Sequence, residues 1–124
     1  MEDRLKAFEN ETYLNLETLR DNGEGVPTPV WFALDGSKFY IRTLEKSHKV
    51  KRLRANSTVR IAPCEANGDL KGEWTSARAV IGGAGDFDRA EQLFNNKYGF
   101  RNRLFGLFGR LMGRKWATIT VELI

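Results

Sequence analysis

The sequence predicts a mainly β (α+β) domain in which five or six antiparallel strands form a small barrel with short helices around it. Short apolar segments alternate with turn residues, and the helical segments do not follow the βαβ rhythm of a parallel sheet. The chain has 124 residues, of which 41% are hydrophobic. This length fits one core, so we expect residues 1–124 to form a single domain.

The first half of the chain is predicted to contain one helix and three strands: residues 3–9, then Thr12–Arg20, Pro27–Leu34 and Lys38–Thr43. Asp35-Gly36 lies between two apolar runs, which is a strong hairpin signal. Pro27 and Pro29 cannot donate hydrogen bonds to a neighbouring strand. We therefore expect the second strand to begin at a sheet edge.

The second half is predicted to contain three further strands and three helices. The strands are Thr58–Pro63, Gly72–Ile81 and Trp116–Leu123; the helices are Ser47–Ala55, a segment from Asp86 to Tyr98, and about 101–113. Asn67-Gly68 provides the turn before the second of these strands. Asp86 is a favourable N-cap for the second helix, which carries an apolar stripe.

The charge distribution points to an anionic ligand. The formal net charge is +4, and no acidic residue lies between Glu91 and Glu122. Nucleic acid, a membrane surface or a phosphorylated cofactor would each suit such a field. The basic residues fall mainly on predicted helices, not on a strand face with interleaved aromatic residues, so we expect no nucleic-acid partner.

Several residue types exclude whole classes of site. The single cysteine, Cys64, excludes an internal disulfide, and the single histidine, His48, excludes a site with several histidine ligands. No apolar stretch reaches the roughly 18 residues of a membrane span, and the N-terminus has no apolar signal region. We expect a cytoplasmic protein without stable membrane insertion and without a metal site.

The segment from Arg42 to Arg54 carries the strongest functional signal. It passes from a strand end through a turn into a helix that Ser47 can cap, which places Lys49 in the first helical turn. A helix N-terminus behaves as roughly +0.5 elementary charge, so a cation there costs about 0.3–1 kcal/mol. A bound anion offsets that cost. Thr43, Ser47 and Lys49 therefore form a candidate phosphate site, whereas the remaining cations suit a solvated helix face.

Four motifs in order make the sequence resemble the pyridoxamine-phosphate-oxidase-like split-barrel flavoproteins, in particular their short branch that depends on the deazaflavin coenzyme F-420. The motifs are Thr28-Pro29-Val30-Trp31-Phe32-Ala33, Arg42-Thr43 with Ser47-x-Lys49-Val50-x-Arg52, Val59-Arg60-Ile61-Ala62-Pro63-Cys64, and Lys97-Tyr98-Gly99. His48 stands where flavin-binding oxidases of that family often have arginine beside the phosphate lysine. No counterpart of their vitamin B6 site is evident.

The resemblance implies a homodimer of six-stranded split barrels with two sites for FMN or coenzyme F-420 at the interface. It implies that Thr43, Ser47 and Lys49 bind the cofactor phosphate, with Arg42 in the same cofactor-binding set. It also implies that the backbone of Thr28, Pro29, Val30 and Trp31 lies along the isoalloxazine ring. Trp74 and Arg78 would line the site on a neighbouring strand, from either subunit.

The activity that the resemblance implies is hydride transfer between the cofactor and a small organic substrate, for which the chain needs no catalytic triad. Two alternatives stay open. One is a non-catalytic barrel that stores a cofactor or binds haem, with His48 as the sole histidine ligand. The other is a small basic barrel that binds single-stranded nucleic acid.

Overall fold

The structure is a computed structural model that describes residues 3–99 and 115–124. Within them the helices are α1 (Asp3–Lys6), α2 (His48–Ala55) and α3 (Ala84–Tyr98). The strands are β1 (Tyr13–Leu19), β2 (Gly25–Asp35), β3 (Lys38–Leu44), β4 (Thr58–Cys64), β5 (Thr75–Ile81) and β6 (Trp116–Leu123). In this part of the chain, none of the helices combines the length and hydropathy that crossing a bilayer requires.

The six strands close into an antiparallel barrel in the order β1-β2-β3-β6-β5-β4. β2 is long enough to pair with two strands in succession. Its first part, Gly25–Trp31, pairs with β1, and its last part, Phe32–Asp35, pairs with β3. Pro27 and Pro29 lie in the first part of β2, whose other edge forms no pairs with β3. The prediction that this strand begins at a sheet edge is confirmed.

The barrel interior is filled by alternate residues of all six strands, as the two-residue period of a strand requires. The fully buried side chains include Leu14, Leu16, Phe32, Phe39, Ile41, Ile61, Ile119 and Val121. Phe8, which follows α1, completes this core by packing edge-on against Phe39 at 5.0 Å between ring centroids. The N-terminal segment therefore covers the barrel at the end where the β2–β3 hairpin lies.

The other end of the barrel is covered by α2. Val50 and Leu53 are the buried residues of this helix, and Leu53 belongs to the main core. The Arg52 Nε donates a hydrogen bond to the Thr18 Oγ1 at 2.6 Å, which fixes the helix to the end of β1. α3 instead lies on the outer wall, where Phe94 and Tyr98 pack against Ala33 of β2.

Three predicted boundaries are wrong. α3 begins at Ala84 with Gly83 as its N-cap; Asp86 lies three residues into the motif, and its carboxylate accepts a hydrogen bond from the Gly83 N–H at 3.0 Å. β5 begins at Thr75, not at position 72, because only an isolated bridge from Cys64 to Leu70 precedes it. The first helix ends at Lys6. The helix predicted at about 101–113 lies outside the described residues.

Candidate functional site

The predicted phosphate residues meet where β3 passes into α2; we call Thr43, Ser47 and Lys49 the phosphate cradle. The Ser47 Oγ accepts a hydrogen bond from the Val50 N–H at 3.3 Å, so Ser47 is the N-cap of α2, as predicted. The Thr43 hydroxyl donates to the same oxygen at 3.4 Å, and Thr43 is buried. A ligand at the cradle would therefore contact Ser47 and Lys49 more readily than Thr43.

Lys49 occupies an electrostatically unfavourable position. The first turn of α2 contains no acidic residue, although a carboxylate there would complement the helix dipole. Burial lowers the pKa of Lys49, and the nearby charge of Arg52 lowers it further. The protein thus maintains a half-buried cation at the positive end of a helix, which is the arrangement that a bound anion would stabilise.

An opening in the barrel wall lies beside the cradle. The β2–β3 ladder runs from Asp35↔Lys38 to Phe32↔Ile41; beyond this point β2 continues against β1, and β3 continues against β6. The residues of β2 that face this opening are Thr28–Trp31. The end of β3 leads through a short turn into the first turn of α2, and the edge of β2 that no longer pairs with β3 begins at Trp31.

The side chains of the β2 segment divide between the two faces of the barrel wall. Thr28 pairs with Leu16 and Val30 with Leu14, so both side chains face the interior. Trp31 faces outward and stacks on Tyr98 of α3, with ring centroids 4.4 Å apart and planes 7° apart. Pro29 faces outward too. A ligand in the opening would therefore contact mainly the backbone of this segment.

Arg42 points away from the cradle, because neighbouring residues of a strand project to opposite faces. Its guanidinium forms an ion pair with Glu91 of α3, with 3.0 Å between Nη1 and Oε2, and lies 5.5 Å from the ring centroid of Phe87. Burial lowers the pKa of Arg42, while Glu91 acts in the opposite direction. The structure therefore does not bring Arg42 together with Ser47 and Lys49.

Trp74 and Arg78 are not on a strand that neighbours β2, and that expectation is wrong. Trp74 precedes β5 and Arg78 lies within it, while the barrel order separates β5 from β2 by two strands in either direction. Arg78 is exposed on the outer wall. The Arg60 guanidinium lies 4.8 Å from the Trp74 ring centroid. Within one protomer these residues cannot share a site with Thr28–Trp31.

A cavity that the sequence did not predict as a site lies at the hairpin end of the barrel; we call it the hairpin-end cavity. It measures about 590 Å³ and is lined by Phe8, Glu9, Asn10, Glu11, Thr12, Phe32, Leu34, Gly36, Lys97 and Tyr98. The Tyr98 hydroxyl accepts a hydrogen bond from the Phe32 N–H at 3.1 Å. The Lys97-Tyr98 dipeptide, a cation beside an aromatic residue at a helix end, was the only sequence signal for it.

The chemistry of the cradle suits a phosphate group better than a metal ion. Ser47 and Lys49 can donate hydrogen bonds to phosphate oxygens, and helix N–H groups of the first turn can add to them. Among residues 3–99 and 115–124, no group of three His, Cys, Asp or Glu side chains is arranged to hold a metal ion. The residues present therefore fit the phosphate of a nucleotide-like cofactor.

Comparison with known proteins shows the family and the fold of this chain. Residues 1–103 match the model of the family described as pyridoxamine 5'-phosphate oxidase. No curated protein sequence is significantly similar.

Solved structures share the fold at low sequence identity. The haem storage protein HutZ from Vibrio cholerae has a TM-score of 0.70 and 13% identity, covering 99% of this chain and 89% of its own. An F420 reductase has a TM-score of 0.59 and 14% identity, covering 100% and 95%. A FAD-binding protein from Mesorhizobium loti has a TM-score of 0.63 and 14% identity, covering 98% and 85%.

Proposed function

This chain belongs to the pyridoxamine 5'-phosphate oxidase family, and from that premise we propose that it binds FMN or coenzyme F-420 and acts as an oxidoreductase. The bound cofactor would supply the hydride chemistry toward a small organic substrate, and the protein would bind and orient it. A structural relative described as an F420 reductase and another described as FAD-binding are consistent with this class of cofactor.

The observation that carries the proposal is the cation at the start of α2. Lys49 has a pKa lowered by burial and by Arg52, in a helical turn without an acidic residue. Ser47 caps the same helix, so its oxygen is held in a fixed position. A phosphate placed here would neutralise Lys49 and accept hydrogen bonds from groups that the fold already orients.

The cofactor ring would lie along the opening between β2 and β3. The backbone of Thr28–Trp31 borders that opening, and its C=O groups suit the N–H donors of a pyrimidine ring, whereas Pro29 offers no N–H. Arg42 would join this site only by leaving Glu91, because the ion pair holds it under α3. We therefore assign the phosphate mainly to Ser47 and Lys49.

Trp74 and Arg78 can join this site only from a second copy of the chain, which is the reason to propose a homodimer. They lie on the outer wall of the barrel, across from the opening. Val80 is 48% exposed on the same face of β5, so the wall offers apolar as well as charged surface to a partner.

Cys64 is buried and forms no disulfide, which suits the reducing cytoplasm that we propose for this protein.

A second candidate function is haem binding without catalysis. The observation that favours it is the similarity to HutZ, described as a haem storage protein, over 99% of this chain. His48 is the single histidine of the sequence, and it is exposed at the first residue of α2. It could therefore reach an iron ion at the surface beside the phosphate cradle.

Titrations of the purified full-length protein with FMN, coenzyme F-420 and hemin test the two candidates together. Quenching of flavin or deazaflavin fluorescence with saturation supports the proposed function. Saturable binding of hemin alone, lost in His48→Ala, supports haem binding instead. Single-stranded DNA is the fourth ligand: binding that disappears at high salt, with no affinity for the cofactors, would support the nucleic-acid alternative.

A further inference from the structure

The hairpin-end cavity presents an apolar wall to any ligand that enters it. Phe8 and Phe32 contact each other edge-on, with ring centroids 6.1 Å apart and planes at 86°. Leu34 and the Tyr98 ring line the same space. Phe8 and Phe32 are core residues that are 2% and 0% exposed, so a flat apolar group would pack on the surface that Leu34 and the Tyr98 ring present.

Among residues 3–99 and 115–124, Lys97 is the one basic side chain that lines this cavity. Much of the residue is exposed, yet its ammonium nitrogen lies 3.6 Å from the Phe32 ring centroid and 2.8 Å from the Phe32 carbonyl oxygen. The amine is thus held at a fixed point against an apolar surface. This partial removal from water lowers the pKa of Lys97 to about 8, so a sizeable fraction is the neutral, nucleophilic amine at mildly alkaline pH.

Glu11 contributes an acidic group to the same cavity. Its Oε1 lies 2.6 Å from the Lys71 Nζ, so the carboxylate is held in place by an ion pair. Its negative charge raises the pKa of Lys97, against the larger effect of burial. Glu9 lines the cavity as well, so the cavity combines an amine, two carboxylates and an apolar wall.

We infer that the hairpin-end cavity binds small aldehydes or ketones with a flat apolar body, and that the Lys97 amine forms a reversible imine with them. The nitrogen lone pair attacks the carbonyl carbon, and the carbonyl oxygen leaves as water with the two protons that the amine nitrogen gives up. No oxidant or reductant is needed. Glu9 and Glu11 are the lining carboxylates that would take up and return a proton.

The site is separate from the phosphate cradle, because Thr43, Ser47 and Lys49 are not among the residues that line the cavity. This separation allows the reactivity of Lys97 to be compared with that of Lys49 in the same protein. Lys49 also has a lowered pKa, but a bound phosphate should shield it from reagents, whereas Lys97 should stay accessible.

The test is reductive trapping of the full-length protein with benzaldehyde and sodium cyanoborohydride, followed by peptide mass spectrometry. We expect Lys97 to be modified about tenfold or more faster than the exposed Lys51 at one fixed pH near 7, where the lowered pKa leaves more of the Lys97 amine neutral. The reference variant is Lys97→Arg, which keeps a cation over Phe32 and should lose this adduct, while Lys51→Arg should keep it. Modification of Lys97 in the wild-type protein at the rate of Lys51 would overturn the inference without relying on any variant.

Added FMN separates this inference from the proposed function. Protection of Lys49 but not of Lys97 supports both. Rapid modification of Lys97 with no protection of Lys49 supports the carbonyl site and counts against the phosphate cradle. Protection of Lys97 by FMN would show that the cavity belongs to the cofactor site, and the inference would be wrong.

Discussion

Trp31 on β2 and Tyr98 at the end of α3 lie face to face, with ring centroids 4.4 Å apart and planes 7° apart. The Tyr98 hydroxyl reaches past this stack to the Phe32 backbone, where it accepts from the N–H at 3.1 Å and lies 2.6 Å from the carbonyl oxygen. α3 is thus joined to β2 at the residue where β2 changes its partner strand.

Replacing Tyr98 by Phe should destabilise the protein while keeping the ring stack. The substitution leaves the Phe32 N–H without its partner, and an unsatisfied buried donor costs about 1–3 kcal/mol. Urea unfolding followed by circular dichroism measures the difference. Tyr13→Phe is the matched control, since Tyr13 is only half-buried. Equal stability of the two variants would show that the hydroxyl contributes little to holding α3.

Replacing Lys49 by Ala should weaken binding of FMN or F-420 by about ten- to a hundredfold. A hydrogen bond to a charged group contributes about 1.5–3 kcal/mol, and each 1.4 kcal/mol is a factor of ten in affinity. Fluorescence titration measures the dissociation constant. Lys51→Ala is the control, because Lys51 lies exposed on the same helix. A loss below twofold for Lys49→Ala would remove the main support for the phosphate cradle.

Two substitutions at Ser47 separate its capping role from its binding role. Ser47→Ala removes the oxygen that accepts from the Val50 N–H, and loss of an N-cap costs about 1 kcal/mol of stability. Ser47→Asp should keep the stability, because Asp is an equally good N-cap, but its charge should repel a phosphate. We expect Ser47→Asp to unfold like the wild type and to bind FMN much more weakly. Unchanged FMN affinity in this variant would place the phosphate elsewhere.

Lys97 should make the stability depend on pH above neutrality. Burial lowers its pKa from 10.5 to about 8, so between these values the unfolded chain holds a proton that the folded protein has released. The contribution of Lys97 to the free energy of unfolding therefore rises with pH across this window. The wild type should gain stability relative to Lys97→Met between about pH 8 and 10.5. Urea unfolding of both proteins at several pH values measures the difference between their free energies of unfolding, in which the contributions of other titrating groups cancel. A difference that does not change with pH would contradict the prediction.

The strand pattern and the local part of the site could be predicted from the sequence, because both depend on neighbouring residues. Alternating apolar residues and the Asp35-Gly36 turn define β2 and β3, and the Ser47 cap lies only two residues from Lys49. The same alternation could have separated Arg42 from Thr43, since adjacent strand residues face opposite sides. The start of α3 was misplaced because Asp is favourable both as an N-cap and inside the first turn.

The rest of the site depends on contacts between distant parts of the chain. Lys97 and Glu11 line one cavity only because α3 packs along β2 and the N-terminal segment covers the same barrel end. The ion pair between Arg42 and Glu91 likewise joins β3 to α3. The position of β5 opposite β2 follows from barrel closure, which no local pattern encodes.

That position of β5 gives the sharpest prediction about assembly. If Arg78 contributes to the cofactor site of a partner copy, Arg78→Ala and Lys49→Ala should each weaken FMN binding in the homodimer. When the two variants are unfolded, mixed in equal amounts and refolded, roughly a quarter of the sites should recover wild-type affinity, since a mixed two-fold dimer holds one site built from two intact contributions. Fluorescence titration at limiting FMN counts these sites. If the mixture binds no better than its components, Arg78 and Lys49 do not act in one site across an interface; recovery requires that each protomer supplies a different half.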